Sequence, residues 1–128
     1  MNIDLSNEDR SVIIEALEAL LSFIVNLPAS PELPKEARRE NAKAINTAIS
    51  KLTLDDMSPR LYPEELKVVY WALTDFKDSL SAKRNGQNNL FAGKIAVEKL
   101  NKTRSLIRTF KEALQASPDG RSILDLFR

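Results

Sequence analysis

Two pairs of acids stand three residues apart in the chain, Glu15-x-x-Glu18 and Asp75-x-x-Asp78. On a helix that spacing puts both carboxylates of a pair on one face. Oxygen donors so placed on facing helices are the ligand type Mg²⁺ prefers, so the chemistry they could serve is the holding of that ion. Little other chemistry is open. The chain has no histidine and no cysteine. Ser-His-Asp and Cys-His catalysis, carboxylate–histidine metal centres, zinc–thiolate sites and disulfides are thereby excluded. No side chain titrates near neutral pH unless its surroundings shift it.

The two acid pairs resemble those of all-α nucleotide pyrophosphohydrolases of the MazG type, which use E-x-x-E followed on the next helix by an E-x-x-D-like pair. The resemblance covers these four positions alone, and it implies a Mg²⁺-dependent enzyme working through Glu15, Glu18, Asp75 and Asp78. The chain departs from that pattern in two ways: a whole helix separates the pairs, and the second begins with aspartate. Helices one and three are expected to lie diagonally, with their acids facing outward. Solvated surface acids account for the same residues, so no metal or cofactor is assigned and the chain is read as a non-enzyme.

Three further groups could bind a partner. Lys94, Lys102, Arg104, Arg108 and Lys111, preceded by Lys83 and Arg84, form a basic face that could follow a phosphate backbone. Against that reading, the net charge is only +1 and no nucleic-acid motif is present. Tyr70 and Trp71 lie off the main apolar seam of their helix, beside Tyr62, and such aromatics are enriched at interaction hot spots. Ile123, Leu124, Leu126 and Phe127 make an apolar patch on a C-terminal piece too short to be stable alone. It must dock on its own bundle or cross to a second chain.

These residues need elements to hold them, and the apolar periodicity supplies five helices. Ser6 and Asp9 form a capping pattern ahead of helix one. Val12, Ile13, Leu17, Leu20, Phe23, Ile24 and Val25 then wrap most of its circumference, leaving a narrow polar stripe of Ser11, Glu15, Glu18, Ser22 and Asn26. A helix this apolar is buried on more than one side or lies in an oligomer interface. Pro28 ends it, and Pro28–Pro34 is a stiff link. Helix two carries Ala37, Asn41, Ile45, Ala48 and Leu52 inward. Pro63 opens helix three, with Glu64 and Glu65 at its positive end. Its seam is Leu66, Val69, Leu73, Phe76 and Leu80. Asn85-Gly86 marks a turn. Helix four has the seam Gly93, Ala96, Leu100, Thr103, Ile107, Phe110 and Leu114, and Ser117-Pro118-Asp119-Gly120 ends it. The fold expected is all-α, an antiparallel up-down four-helix bundle with a short C-terminal fifth helix. It forms one domain over 1–128, with helices at about 7–27, 35–54, 63–82, 88–116 and 119–127.

Charge supports that order. Residues 1–34 carry six acids against one base, 35–54 five bases against two acids, 55–82 six acids against three bases, and 83–116 eight bases against two acids. In an up-down bundle every neighbouring pair then has opposite signs. Each exposed ion pair contributes only roughly 0–1 kcal/mol, but packing orders that place like charges side by side are penalised.

At 128 residues the chain is long enough for one continuous core. Its longest apolar stretches are interrupted by Glu15, Glu18, Ser22 and Asn26, so none spans a bilayer. The N-terminus lacks a basic region followed by an apolar run, which leads to the expectation of a cytoplasmic protein. With catalytic chemistry missing and apolar helix surface in surplus, the reading is a non-enzymatic interaction or assembly module. It would bind a protein partner or a second copy of itself as a homodimer, through Tyr70, Trp71, Leu124 and Phe127.

Overall fold

A computed structural model describes residues 3–28, 34–54, 59–86 and 90–127, and all of their side chains except those of 83–96. Five helices follow in order: α1 (Asn7–Asn26), α2 (Lys35–Thr53), α3 (Pro63–Gly86), α4 (Leu90–Gln115) and α5 (Pro118–Asp125). They form the expected helical bundle, with the short α5 folded back on α4 and α3. The link at 29–33, the turn at 55–58 and the first residues assigned to helix four, 88 and 89, lie outside the described residues.

The helix ends follow from local chemistry. Ser6 caps α1 with a full capping box: its hydroxyl accepts from the Asp9 N–H at 3.0 Å and its own N–H donates to the Asp9 carboxylate at 3.0 Å. Pro34 precedes α2 in extended conformation, and Pro63 opens α3 where a missing N–H costs nothing. The Ser117 hydroxyl accepts from the Gly120 N–H at 3.0 Å and starts α5. One boundary differs from expectation. α3 continues through Asn85 and Gly86 instead of ending at 82. Ala82, Lys83 and Arg84 are good helix formers, and the helix runs on through them.

The core collects the expected stripes. Ile13, Leu17 and Ile24 of α1, Ile45, Ala48 and Leu52 of α2, Val69 and Leu73 of α3, and Leu100, Thr103, Phe110 and Leu114 of α4 are all buried. Gly93 and Ala96 of the α4 seam lie outside the described side chains. Ile3, Leu5 and Leu61, all from outside the helices, add to the core.

The arrangement is flatter than a square bundle. α3 packs most extensively on α4 and next on α1, whereas α2 and α4 do not touch among the described residues. The diagonal placement of α1 and α3 is therefore corrected, since the two helices lie against each other, whereas Glu15, Glu18, Asp75 and Asp78 do face outward as expected. The reason is steric. Ala16 and Ala72 are both buried where the helices meet, and small side chains let the backbones approach until the bundle closes along that diagonal.

Polar links set the register. The Lys99 ammonium of α4 bridges Glu15 of α1 at 3.0 and 3.2 Å, and Lys102 pairs with Asp9. The Lys51 ammonium of α2 meets the Glu65 carboxylate of α3 at 2.6 Å. These pairs join acidic to basic helices, as the charge alternation predicts. α1 and α2 are tied at both ends by arginines. Arg10 donates to the Leu54 carbonyl at 2.6 Å, and Arg38 donates to the Leu27 carbonyl. Each cation thus sits on the negative end of the other helix.

Candidate functional site

The aromatic and C-terminal residues come together inside the molecule. Tyr70 is buried, and its ring packs edge-on against Phe127, with centroids 5.1 Å apart and planes at 64°. Leu124 is buried, while Trp71 is half-buried against the same core. α5 therefore docks in cis. Of the four residues, Phe127 keeps the most surface at 37% exposed, and its neighbour Leu126 is 69% exposed. Tyr70 and Leu124 serve the core, leaving Phe127 and Leu126 as the accessible edge of this cluster.

The basic stripe divides. Lys102 is held by Asp9, whereas Arg104, Arg108 and Lys111 are exposed along α4. The side chain of Lys94 lies outside those described, as do those of Lys83 and Arg84.

The acid pairs do not form a cluster. Glu15 is engaged by Lys99, and Glu18 faces solvent. Among the described residues no group of three or more acids is placed to hold a metal ion.

Asp75 and Asp78 instead edge a groove of about 300 Å³ between α1 and α3. Two matching stripes build it. α1 contributes Ala16, Ala19, Leu20 and Phe23, and α3 contributes Ala72, Asp75, Phe76 and Ser79. Each stripe has i, i+3, i+4, i+7 spacing, one face of a helix. Ala16 and Ala72 are buried in the groove, while Phe23, one helical turn beyond Ala19, is 53% exposed. At its lip, burial and then the neighbouring Asp78 charge push the Asp75 carboxyl up, against a hydrogen bond from Trp71 that pulls it down. Sequence reasoning singled out the acids but not the groove. The signal was present in the identical spacing of the two stripes.

A second groove, of about 510 Å³, runs between α2 and the start of α3, where Glu40, Lys43, Thr47 and Tyr62 line it. Beneath it the Glu65 carboxylate accepts from Lys51 and from the Tyr62 N–H, the latter at 2.9 Å. Lys51 also lies 4.2 Å from the centre of the Tyr62 ring. These contacts fasten α2 to α3.

Fold and surface together define a small all-α bundle that leaves Phe23, Val25, Leu54, Leu126 and Phe127 exposed. No known protein family, curated protein or solved structure matches the chain. No helix among the described residues is long and apolar enough to cross a membrane.

Proposed function

We propose that the protein is a non-enzymatic interaction or assembly module that works through helix faces, in the cytoplasm. The observation that carries this reading is Phe23. A large aromatic side chain stands 53% exposed at the mouth of the α1–α3 groove, above Leu20, Ala72 and Phe76. Fully burying such a side chain contributes roughly 1.5–3 kcal/mol, and about half of that is left for a partner to claim. Phe127 and Leu126, at the edge of the α5 cluster, offer a second apolar contact.

Light scattering combined with photo-crosslinking from position 23 tests the proposal. A discrete complex with a protein partner or a second copy, lost in Phe23→Ser, is the expected result. A strict monomer that crosslinks to no protein overturns it.

A second reading places Arg104, Arg108 and Lys111 on a nucleic-acid backbone. It is favoured by their common exposure on α4 while Lys102 is neutralised by Asp9. It requires binding that weakens steeply with salt and disappears when Arg104 and Arg108 are reversed to glutamate. No binding at low salt removes it.

A further inference from the structure

The geometry points to a specific occupant for the α1–α3 groove: a basic amphipathic helix of a partner protein, seated with a large apolar side chain between Phe23 and Phe76 and a lysine or arginine on Asp75 and Asp78. This inference rests on the interaction-module reading and names the partner class of that surface.

The floor dictates an apolar ridge. Leu20 and Ala72 are buried beneath it, Phe76 is half-buried, and Phe23 stands at the mouth. A cavity of about 300 Å³ is at the small end for a metabolite site. It suits the one or two side chains that a helix ridge inserts. The approach is helix-shaped, because both walls are helices and the groove runs between them.

The lip dictates the charge. Asp75 and Asp78 stand on one side of the opening and repel each other. Lys77 reaches Asp78 only at 3.9 Å, with both side chains well exposed, so it neutralises the pair poorly. Phe23 lies in the last turns of α1, whose final turn contains no basic residue. That helix end is already met by the Arg38 guanidinium on the Leu27 carbonyl, so the field at the lip is that of the two aspartates. An anionic or neutral ridge would leave these charges facing apolar or like-charged surface, whereas a cation beside the ridge would satisfy them.

The probe is a designed amphipathic peptide of about 16 residues, long enough to hold a helix when stapled. It carries leucine and phenylalanine on one face and lysine at the flanks. A twin carries glutamate in place of every lysine. Fluorescence anisotropy gives affinity, and amide shift mapping gives location. The lysine peptide is expected to bind, to weaken with added salt, and to shift Leu20, Phe23, Phe76 and Ser79. The glutamate twin is expected to bind at least about tenfold more weakly. Asp75→Asn and Asp78→Asn should each cost about threefold to fivefold, and together they should erase the preference between the twins. Both positions are exposed, so folding is retained, and the circular-dichroism melt verifies it.

Equal binding of the two twins, shifts located elsewhere, or a self-associated dimer whose interface is this groove overturns the inference. The two levels fail separately. If Asp75→Asn/Asp78→Asn leaves the crosslinked protein complex from position 23 intact, the basic-helix assignment falls and the interaction reading stands. If position 23 captures no protein at all, the interaction reading itself falls.

Discussion

Replacing Gly120 by alanine sets two physical effects of opposite sign against each other. Gly120 is buried at the corner where α5 folds back on α4. A Cβ built there would lie 2.0 Å from the Leu114 carbonyl oxygen, 2.6 Å from its carbon and 2.7 Å from its Cα. Reaching even the 3.0 Å that real contacts respect requires α5 to retreat by about 1 Å. The obstacle is backbone and cannot rotate away, so the cost belongs at the upper end of the roughly 1–3 kcal/mol typical of overpacking. Detachment of α5 is the alternative. It would expose Ile123 and Leu124, at roughly 1.5–3 kcal/mol each, and this caps the loss. Helix propensity acts the other way, since alanine in a helix is favoured over glycine by about 0.8–1 kcal/mol. The net expectation is a loss of about 2 kcal/mol. At a urea slope of roughly 1–3 kcal/mol/M that is a midpoint lowered by about 1 M. Urea unfolding gives the midpoint, and hydrogen exchange at the Ile123 and Leu124 amides reports whether α5 stays docked. A variant stabilised by the propensity difference, with α5 still protected, would refute the close approach.

Lys51→Met should be more damaging than its position suggests. It leaves the Glu65 carboxylate, only 5% exposed, without its cation. Removing one member of a buried pair costs about 3 kcal/mol, and Lys51→Met combined with Glu65→Leu should recover most of the loss in the same urea assay. Burial alone would push the Asp9 carboxyl up, but hydrogen bonds from Lys102 and Ser6 outweigh it and hold it below its ordinary range. Its stabilising contribution is then present above the unfolded value and lost as pH falls through the folded one. The Asp9 hydrogen bond in turn raises Lys102, whose contribution is present below the ordinary lysine range and lost as pH rises through the raised folded value. Asp9→Asn should therefore flatten both the acid and the alkaline limb of stability against pH, with about 1 kcal/mol lost at neutral pH. Asp75 has the opposite sign to Asp9: its folded value is raised, so it destabilises as pH rises through that value. Asp78→Asn should bring the Asp75 titration down toward the ordinary range, read by carboxyl NMR, and an unmoved titration would leave burial as the sole cause.

What could be read from residues alone was the part governed by periodicity and caps. Ser6 with Asp9, Pro63 with Glu64 and Glu65, and the seams through Ile45, Leu73 and Phe110 each state their helix locally. The α3 end escaped because Asn85-Gly86 permits a turn without compelling one. Arg10 was overlooked although it is the single base in residues 1–34, a conspicuous cation that reaches the far end of α2. The Tyr70–Phe127 contact depends on how α5 swings back at Gly120, and nothing local encodes that angle. The candidate groove was half legible: both stripes were in plain sight, but their facing each other required the short diagonal between α1 and α3.

That diagonal is also where the charge pattern meets its exception. Opposite signs on neighbouring helices are satisfied by Lys99 on Glu15, Lys102 on Asp9 and Lys51 on Glu65. α1 and α3 are both acidic, yet they touch. Their contact is tolerable because Ala16, Leu20 and Ala72 keep charge out of the closed part of the seam, while Glu15 is drawn away toward α4. Asp75 and Asp78 remain at the edge of that contact, beside the exposed Phe23. A bundle stabilised only for its own sake would gain by placing a cation or a neutral residue at position 75 or 78, since either would end the repulsion that adds to burial in raising Asp75. Replacing both aspartates by asparagine should thus leave the fold at least as stable, and an unfolding midpoint lowered by that replacement would show that the acids serve the bundle itself and not its surface.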